Sequence, residues 1–306
     1  MPYSLWKDTT SNSMKQIVDN CLAYENWYTH EIDPYDKSEL RFEINRRFLD
    51  NHSLNIGDTN IFFNVLDYEM EKVRPREAEN AIRATRVQLI SGFVIVFTDG
   101  ITTKYITNKT YGPNTLTNLR KINNYSGQLE IIDEKFSIDS DLFFWVVNKV
   151  IDFPGVQLGD AQNVKIELVT GFKGETDDRL AEIAGSGDRI LNLISTLTFL
   201  VENENLSRIE MLLCHQKETY GLKLGINSYL EINAEKYQGR YMKIPDEEMI
   251  PHIVLNAFLV VIPDLLAIYD QEIEKGQWDN KIKREFLGNI GETIQKRLQE
   301  KLGILE

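Results

Sequence analysis

The sequence predicts an α+β fold built on a mixed, mainly antiparallel sheet. Three observations carry that expectation. Segments 87–107 and 208–232 read as strand–turn–strand hairpins, and hairpins pair antiparallel. Helical periodicity gathers before, between and after them, which gives helical N-terminal and C-terminal segments. The helices do not alternate strictly with strands, as a doubly wound parallel sheet would require.

The elements follow in chain order. Ser13 is placed to cap a helix over 13–28, where Met14, Ile17, Val18, Cys21 and Leu22 form one apolar stripe. A second helix is expected over 38–50, with Leu40, Ile44 and Phe48 on one side and Arg41, Glu43 and Arg47 on the other. Residues 61–66 form a short strand. Pro75 suits the first position of a short helix ending near Ala84. Residues 87–97 carry Val, Ile and Phe on both faces, so that strand should be covered on both sides. Asp99-Gly100 turns it into a returning strand over 101–107. Gly112-Pro113-Asn114 breaks the chain before a polar helix over 115–123.

A strand over 129–138 precedes a helix at 141–151, capped by Ser140. That helix is apolar almost all round, so it should be internal. A strand at 164–169, a polar loop at 171–178 and a short strand or turn to Ala184 lead to Gly185-Ser186-Gly187-Asp188, which opens another helix. Tyr220, Leu222, Leu224 and Ile226 alternate in the second hairpin, and 229–232 can extend it. From Asp246 the chain is helical to its end. The last helix sets Ile282, Phe286, Ile290, Ile294, Leu298 and Leu302 at intervals of four, with Lys281, Lys283, Arg284, Lys296, Arg297 and Lys301 outside. The Gly- and Pro-containing stretch 152–163 suggests regions 1–155 and 156–306, or one continuous domain.

Composition bounds the function. The 306 residues are 42% apolar and 26% charged, with 18 Gly and 8 Pro. A disordered, collagen-like, coiled-coil or low-complexity chain is excluded. The net charge of −13 gives no general attraction to nucleic acid or anionic lipid. That charge is uneven: 127–205 holds 15 acidic and 6 basic residues, whereas 1–126 is close to balanced. Cys21 and Cys214 form no C-x-x-C pair, and free thiols fit a reducing compartment. The N-terminal residues lack a secretory pattern. Residues 249–269 have the length of a membrane span but hold Pro251, His252, Asn256, Pro263 and Asp264. A buried, proline-kinked helix in a cytoplasmic protein is expected instead.

Several residue groups are candidates for chemistry. Cys214 and His215 are neighbours on a strand and should face opposite ways. Asp160, Glu167, Glu175, Asp177, Asp178 and Asp188 are either solvated loop acids or hard-cation ligands. In the second case Asp160, Glu167, Asp177 and Asp178 would be catalytic, with Mg²⁺ on Glu167, Asp177 and Asp178. The nuclease pattern of an acid followed by Glu-x-Lys fails, because Leu168 and Val169 follow Glu167. Gly185, Ser186 and Gly187 form an anion cradle or a plain capped turn; Ile190 stands where a dinucleotide fingerprint needs glycine. Arg74, Arg76, Arg83 and Arg86 are a solvated face, a partner contact or a nucleic-acid contact. Phe143, Phe144 and Trp145 should be core, whereas Trp6, Trp27 and Tyr28 could anchor a partner.

The expected function is a non-enzymatic intracellular interaction or regulatory subunit, without cofactor or membrane, whose acidic segment 127–205 meets a basic partner protein or a sister subunit. A Mg²⁺-dependent phosphodiesterase is the alternative, and nucleic-acid binding through Arg74–Arg86 the third. Usage rich in Ile, Asn and Lys and poor in Ala suits an AT-rich bacterial or phage genome and the accessory proteins of their conflict.

Overall fold

A computed structural model of the chain describes residues 1–174, 191, 194–203 and 205–303. It is an α+β protein whose strand pairings are antiparallel, with a helical C-terminal segment. Two compact units divide it, Met1–Lys135 and Phe136–Glu306.

The first unit contains β1 (Pro2–Asp8), α1 (Met14–Leu22), β2 (Phe42–Arg46), β3 (His52–Ile56), β4 (Thr59–Val73), α2 (Arg83–Arg86), β5 (Val87–Thr98), β6 (Thr103–Thr107), α3 (Pro113–Asn123) and β7 (Ile131–Asp133). Its strands run in the order β2-β4-β5-β6-β1, with β3 also on β4 and β7 on β1. The long β4–β5 ladder aligns Phe62 with Thr98 and Val73 with Val87. Ile17, Val18 and Cys21 of α1 and Leu119 and Ile122 of α3 join Leu66, Tyr68, Val94 and Val96 in one core. Ser13 caps α1 in a reciprocal box with Gln16, which satisfies two orphan amides.

Several expectations are corrected here. The predicted helix 38–50 is a strand at 42–46: Leu40, Phe42 and Ile44 are buried and Arg41 and Asn45 exposed, a period of two that also fits a four-residue spacing. The first helix stops at Leu22, and one tight turn at Tyr24–Asn26 follows. The helix from Pro75 is a single turn, Pro75–Glu77, separated from α2 by Asn80, whose Oδ1 accepts the Ile82 amide (2.9 Å). The strand 61–66 extends over Thr59–Val73. The strand 129–138 shrinks to Ile131–Asp133, with Leu129 75% exposed. On β5, Phe93–Phe97 are buried on both faces as expected, but Gln88, Leu89 and Ser91 are exposed. The Asp99-Gly100 turn forms with Gly100 at φ +91°, and Asp99 Oδ1 accepts the amides of Ile101 and Thr102.

The second unit holds α4 (Ser140–Asp152), β8 (Val164–Gly174), α5 (Ile194–Glu202), β9 (Leu206–His215), β10 (Glu218–Gly225), β11 (Tyr229–Gln238), α6 (Asp246–Asn256), α7 (Ile262–Glu274) and α8 (Asn280–Lys301). The strands form a meander, β11-β10-β9-β8. Asp139, not Ser140, caps α4, its carboxylate accepting the Leu142 amide (2.9 Å). Leu142–Asn148 are all buried, as an all-round apolar helix requires. Residues 171–174 continue β8 instead of looping.

The helical run Asp246–Glu274 is long and apolar enough to cross a membrane: an 18-residue stretch of it has a mean hydropathy of 1.9, and 67% of that stretch is buried. Pro251 lies inside α6 and Pro263 near the start of α7, with a wide turn at Ala257–Val261 between them. On α8, Phe286 and Ile290 are buried, but the series fades outward: Leu298 and Leu302 are exposed.

A candidate binding cavity in the second unit

Helix α4 ends where Phe153-Pro154-Gly155 removes an amide donor and Gly155 takes a φ of +77°. The released chain runs past α7 and α8 and leaves a cavity of about 500 Å³. Asn148, Lys149 and Asp152 line it from α4, Phe153 and Val156–Gly159 from the loop, Glu272 from α7, Gln277 from the turn after it, and Ile282, Glu285, Phe286 and Asn289 from α8. The α8 residues share one helical face by their spacing. The size is that of a small-ligand site.

A charged seam holds these helices. Glu272 Oε2 accepts the Trp145 indole N–H (2.8 Å) and pairs with Lys149 Nζ (2.6 Å). Asp141 accepts the Trp278 indole N–H (2.9 Å) and pairs with Lys283 Nζ (2.9 Å). Trp278 is fully buried, so its N–H must find an acceptor inside. Tyr269 also donates to Asp141 (3.3 Å), and burial followed by the charges of Asp139 and Asp141 raises its phenol well above the usual range. These bonds tie α4 to α7 and α8.

Asp152, at the end of α4, is an exposed lining residue. Its Oδ2 accepts the Asn148 Nδ2–H (2.7 Å), one helical turn back. Desolvation raises the Asp152 carboxyl above its ordinary value, against the Asn148 hydrogen bond and the Lys149 charge, which lower it.

The predicted acids do not gather here. Asp160 is exposed and pairs with Lys275 (3.1 Å), and Glu167 pairs with Lys165 on its own strand (3.4 Å). Among the described residues, no three His, Cys, Asp or Glu side chains form a metal-ligand set. Glu175, Asp177, Asp178, Asp188, Gly185, Ser186 and Gly187 lie outside the described residues. Cys214 and His215 do face opposite ways, one half-buried and one buried. His215 Nε2 lies 2.8 Å from Asp264 Oδ2, which also accepts from Asn163 (2.8 Å).

The arginines divide. Arg74 and Arg76 are exposed, and Arg74 donates to the Thr85 carbonyl (2.9 Å). Arg83 reaches Glu71 (2.7 Å), Ser38 and Asp33. Arg86 is 1% exposed; it binds Asp33 (2.8 Å), Asp36 and the carbonyls of Asn80 and Ala81, over the Tyr35 ring. Its guanidinium is consumed inside the fold. Trp6 is core, whereas Trp27 and Tyr28 are half-buried against Phe42, Tyr28 stacking at 4.2 Å.

Sequence reasoning missed the cavity. Asn148, Asp152 and Glu272 carry no motif, and Asn148 read as one polar position in an apolar helix. The Asn148–Asp152 spacing of four was the available signal. Comparison with models of known protein families gave no match, and no curated protein matches the chain.

Proposed function

We propose that the chain is a non-enzymatic interaction or regulatory subunit whose second unit holds a basic partner protein. The cavity wall supports this. Three carboxylates, Asp152, Glu272 and Glu285, and one ammonium, Lys149, are among its lining groups. Glu272 and Lys149 are immobilised by each other and by the Trp145 indole. Groups tied to structural partners this way suit holding a charge more than transferring protons. The chain-wide charge of −13 adds steering for a basic partner. A cytoplasmic setting, and a role among bacterial or phage conflict proteins, are part of the same proposal and rest on composition and free thiols.

The test is fluorescence anisotropy of a labelled lysine- and arginine-rich peptide, titrated with the chain from low to high salt. Binding that weakens steeply as the Debye length shrinks supports the proposal. Absence of binding at low salt, with the chain a lone monomer by light scattering at every salt concentration, overturns it. So does Mg²⁺-dependent hydrolysis of bis(p-nitrophenyl) phosphate by the purified chain.

A further inference from the structure

We propose that a cavity of the first unit, at the start of α1, is a receptor for one small organic oxyanion, a carboxylate or phosphate monoester carried on an apolar body. The site goes beyond the basic-partner reading, which concerns the second unit and stands or falls separately.

The cavity has a volume of about 440 Å³ and lies between the chain leading into α1, residues 10–15, and the β5–β6 turn. Its floor follows from strand register. Thr98 on β5 stands opposite Phe62 on β4 and Thr103 on β6, so the three form one cross-strand row. Two positions along, the same face carries Val96 and Tyr105, which share a core with Met14, Ile17 and Cys21 of α1. The row Phe62–Thr98–Thr103 therefore continues the face that α1 covers, and the cavity opens where α1 begins.

A buried hydroxyl carries the inference. Thr103 is 5% exposed and lines the cavity, and among the described residues its side chain makes no hydrogen bond. Its neighbours are spent: Thr98 Oγ1 donates to the Thr102 carbonyl (2.8 Å), Thr10 Oγ1 to Asp8, and Ser13 Oγ to Gln16 Oε1 (2.9 Å). Buried hydroxyls are ordinarily satisfied, so Thr103 has a donor to offer. Other donors join it. Asn51 lines the cavity with its Oδ1 already accepting from Asn64 (3.0 Å), which leaves its Nδ2 to donate. Ser13 serves the amides of Gln16 (3.3 Å) and Ile17 (3.0 Å), and those of Met14 and Lys15 have no acceptor among the described residues. Open amides at a helix start favour an anion.

The sign of the charge agrees. Lys15 is the one charged residue among the described lining residues, and no described carboxylate lies within ion-pair distance of it. Three acids flank the lining segments in sequence, and none lines the cavity. Asp8 is 2% exposed and accepts from Thr10, Tyr105 and Tyr125; Asp99 accepts the amides of Ile101 and Thr102; Asp50 is exposed. Beside the donors, Phe62 is 44% and Ile101 92% exposed, and such apolar surface gains from being covered. An oxyanion head on an apolar body uses both.

The experiment is isothermal titration of the full chain with phenyl phosphate and with benzoate, using benzylamine and benzyl alcohol as controls of similar size. Saturable one-site binding of either anion, and none of the controls, is expected. Phenyl phosphate alone would assign a phosphate ester to the site, and benzoate alone a carboxylate. Thr103→Val keeps the side-chain shape and should weaken binding at least fivefold. Lys15→Gln, at an exposed position that folding does not need, should do the same, with an unchanged circular dichroism spectrum. Lys72→Gln, an exposed lysine outside the cavity, should leave binding unchanged. No saturation with either anion, equal binding of a control, or equal weakening by Lys72→Gln overturns the inference.

Discussion

Replacing Arg86 by Met removes the most deeply buried cation of the first unit. Asp33, with no exposed side-chain surface, then keeps only the Tyr35 amide (3.1 Å) and the half-exposed Arg83 (3.3 Å). The carbonyls of Asn80 and Ala81 lose their guanidinium donor. Breaking one partner of a buried ion pair costs about 3–5 kcal/mol. Arg83 compensates Asp33 in part, so the lower half of that range, ~3 kcal/mol, is the expectation. The assay is urea denaturation followed by far-UV circular dichroism, comparing midpoints at constant m. Adding Asp33→Asn should recover part of the loss, because the stranded charge is gone; a coupling of at least about 1 kcal/mol is expected in the double-mutant cycle. A single-variant cost below about 1 kcal/mol would show that Arg86 is not the buried keystone described, since exposed pairs behave that way.

Two further outcomes follow from the packing of the first unit and the two thiols. Burial, then the charge of Asp8, pushes the Cys21 thiol up to about 12, so Cys21 should resist a thiol reagent at neutral pH until the chain unfolds; half-buried Cys214 should react first, and rapid labelling of both would contradict the packing. A Cβ at Gly92 would lie 2.7 Å from both Tyr68 Oη and Asn108 Oδ1, so Gly92→Ala should lower stability by roughly 1–3 kcal/mol, measured by thermal denaturation.

The fold class was legible because hairpin signals and helical stripes are local. Asp99-Gly100, the alternating Tyr220–Ile226 run and the all-apolar Leu142–Val147 helix each needed no distant partner to be read. Segment 38–50 failed because Leu40, Ile44 and Phe48 satisfy helical spacing while Leu40, Phe42 and Ile44 satisfy strand spacing. Pairing with β4, remote in sequence, decided between them. The basic group misled for a related reason. Arg83 and Arg86 look solvated beside Glu77 and Glu79, but their partners, Asp33 and Asp36, stand some fifty positions earlier. The cavity of the second unit was invisible because its wall comes from 148–159, Glu272, Gln277 and 282–289, and only folding brings these together. The acidic balance of 127–205 was read correctly as composition. Even so, Asp133, Glu134, Asp141, Asp160 and Glu167 each pair with a lysine, so fewer of those anions are unpaired than their number suggests.

That the second unit exists to hold positive groups is tested most directly by a paired titration. A labelled arginine-rich peptide and an acid-rich peptide of equal length are each titrated with the full chain at low and at high salt. Binding of the arginine-rich peptide that weakens steeply with salt, and none of the acid-rich one, is the predicted result. Equal affinity for both peptides, or affinity that salt does not change, would contradict it.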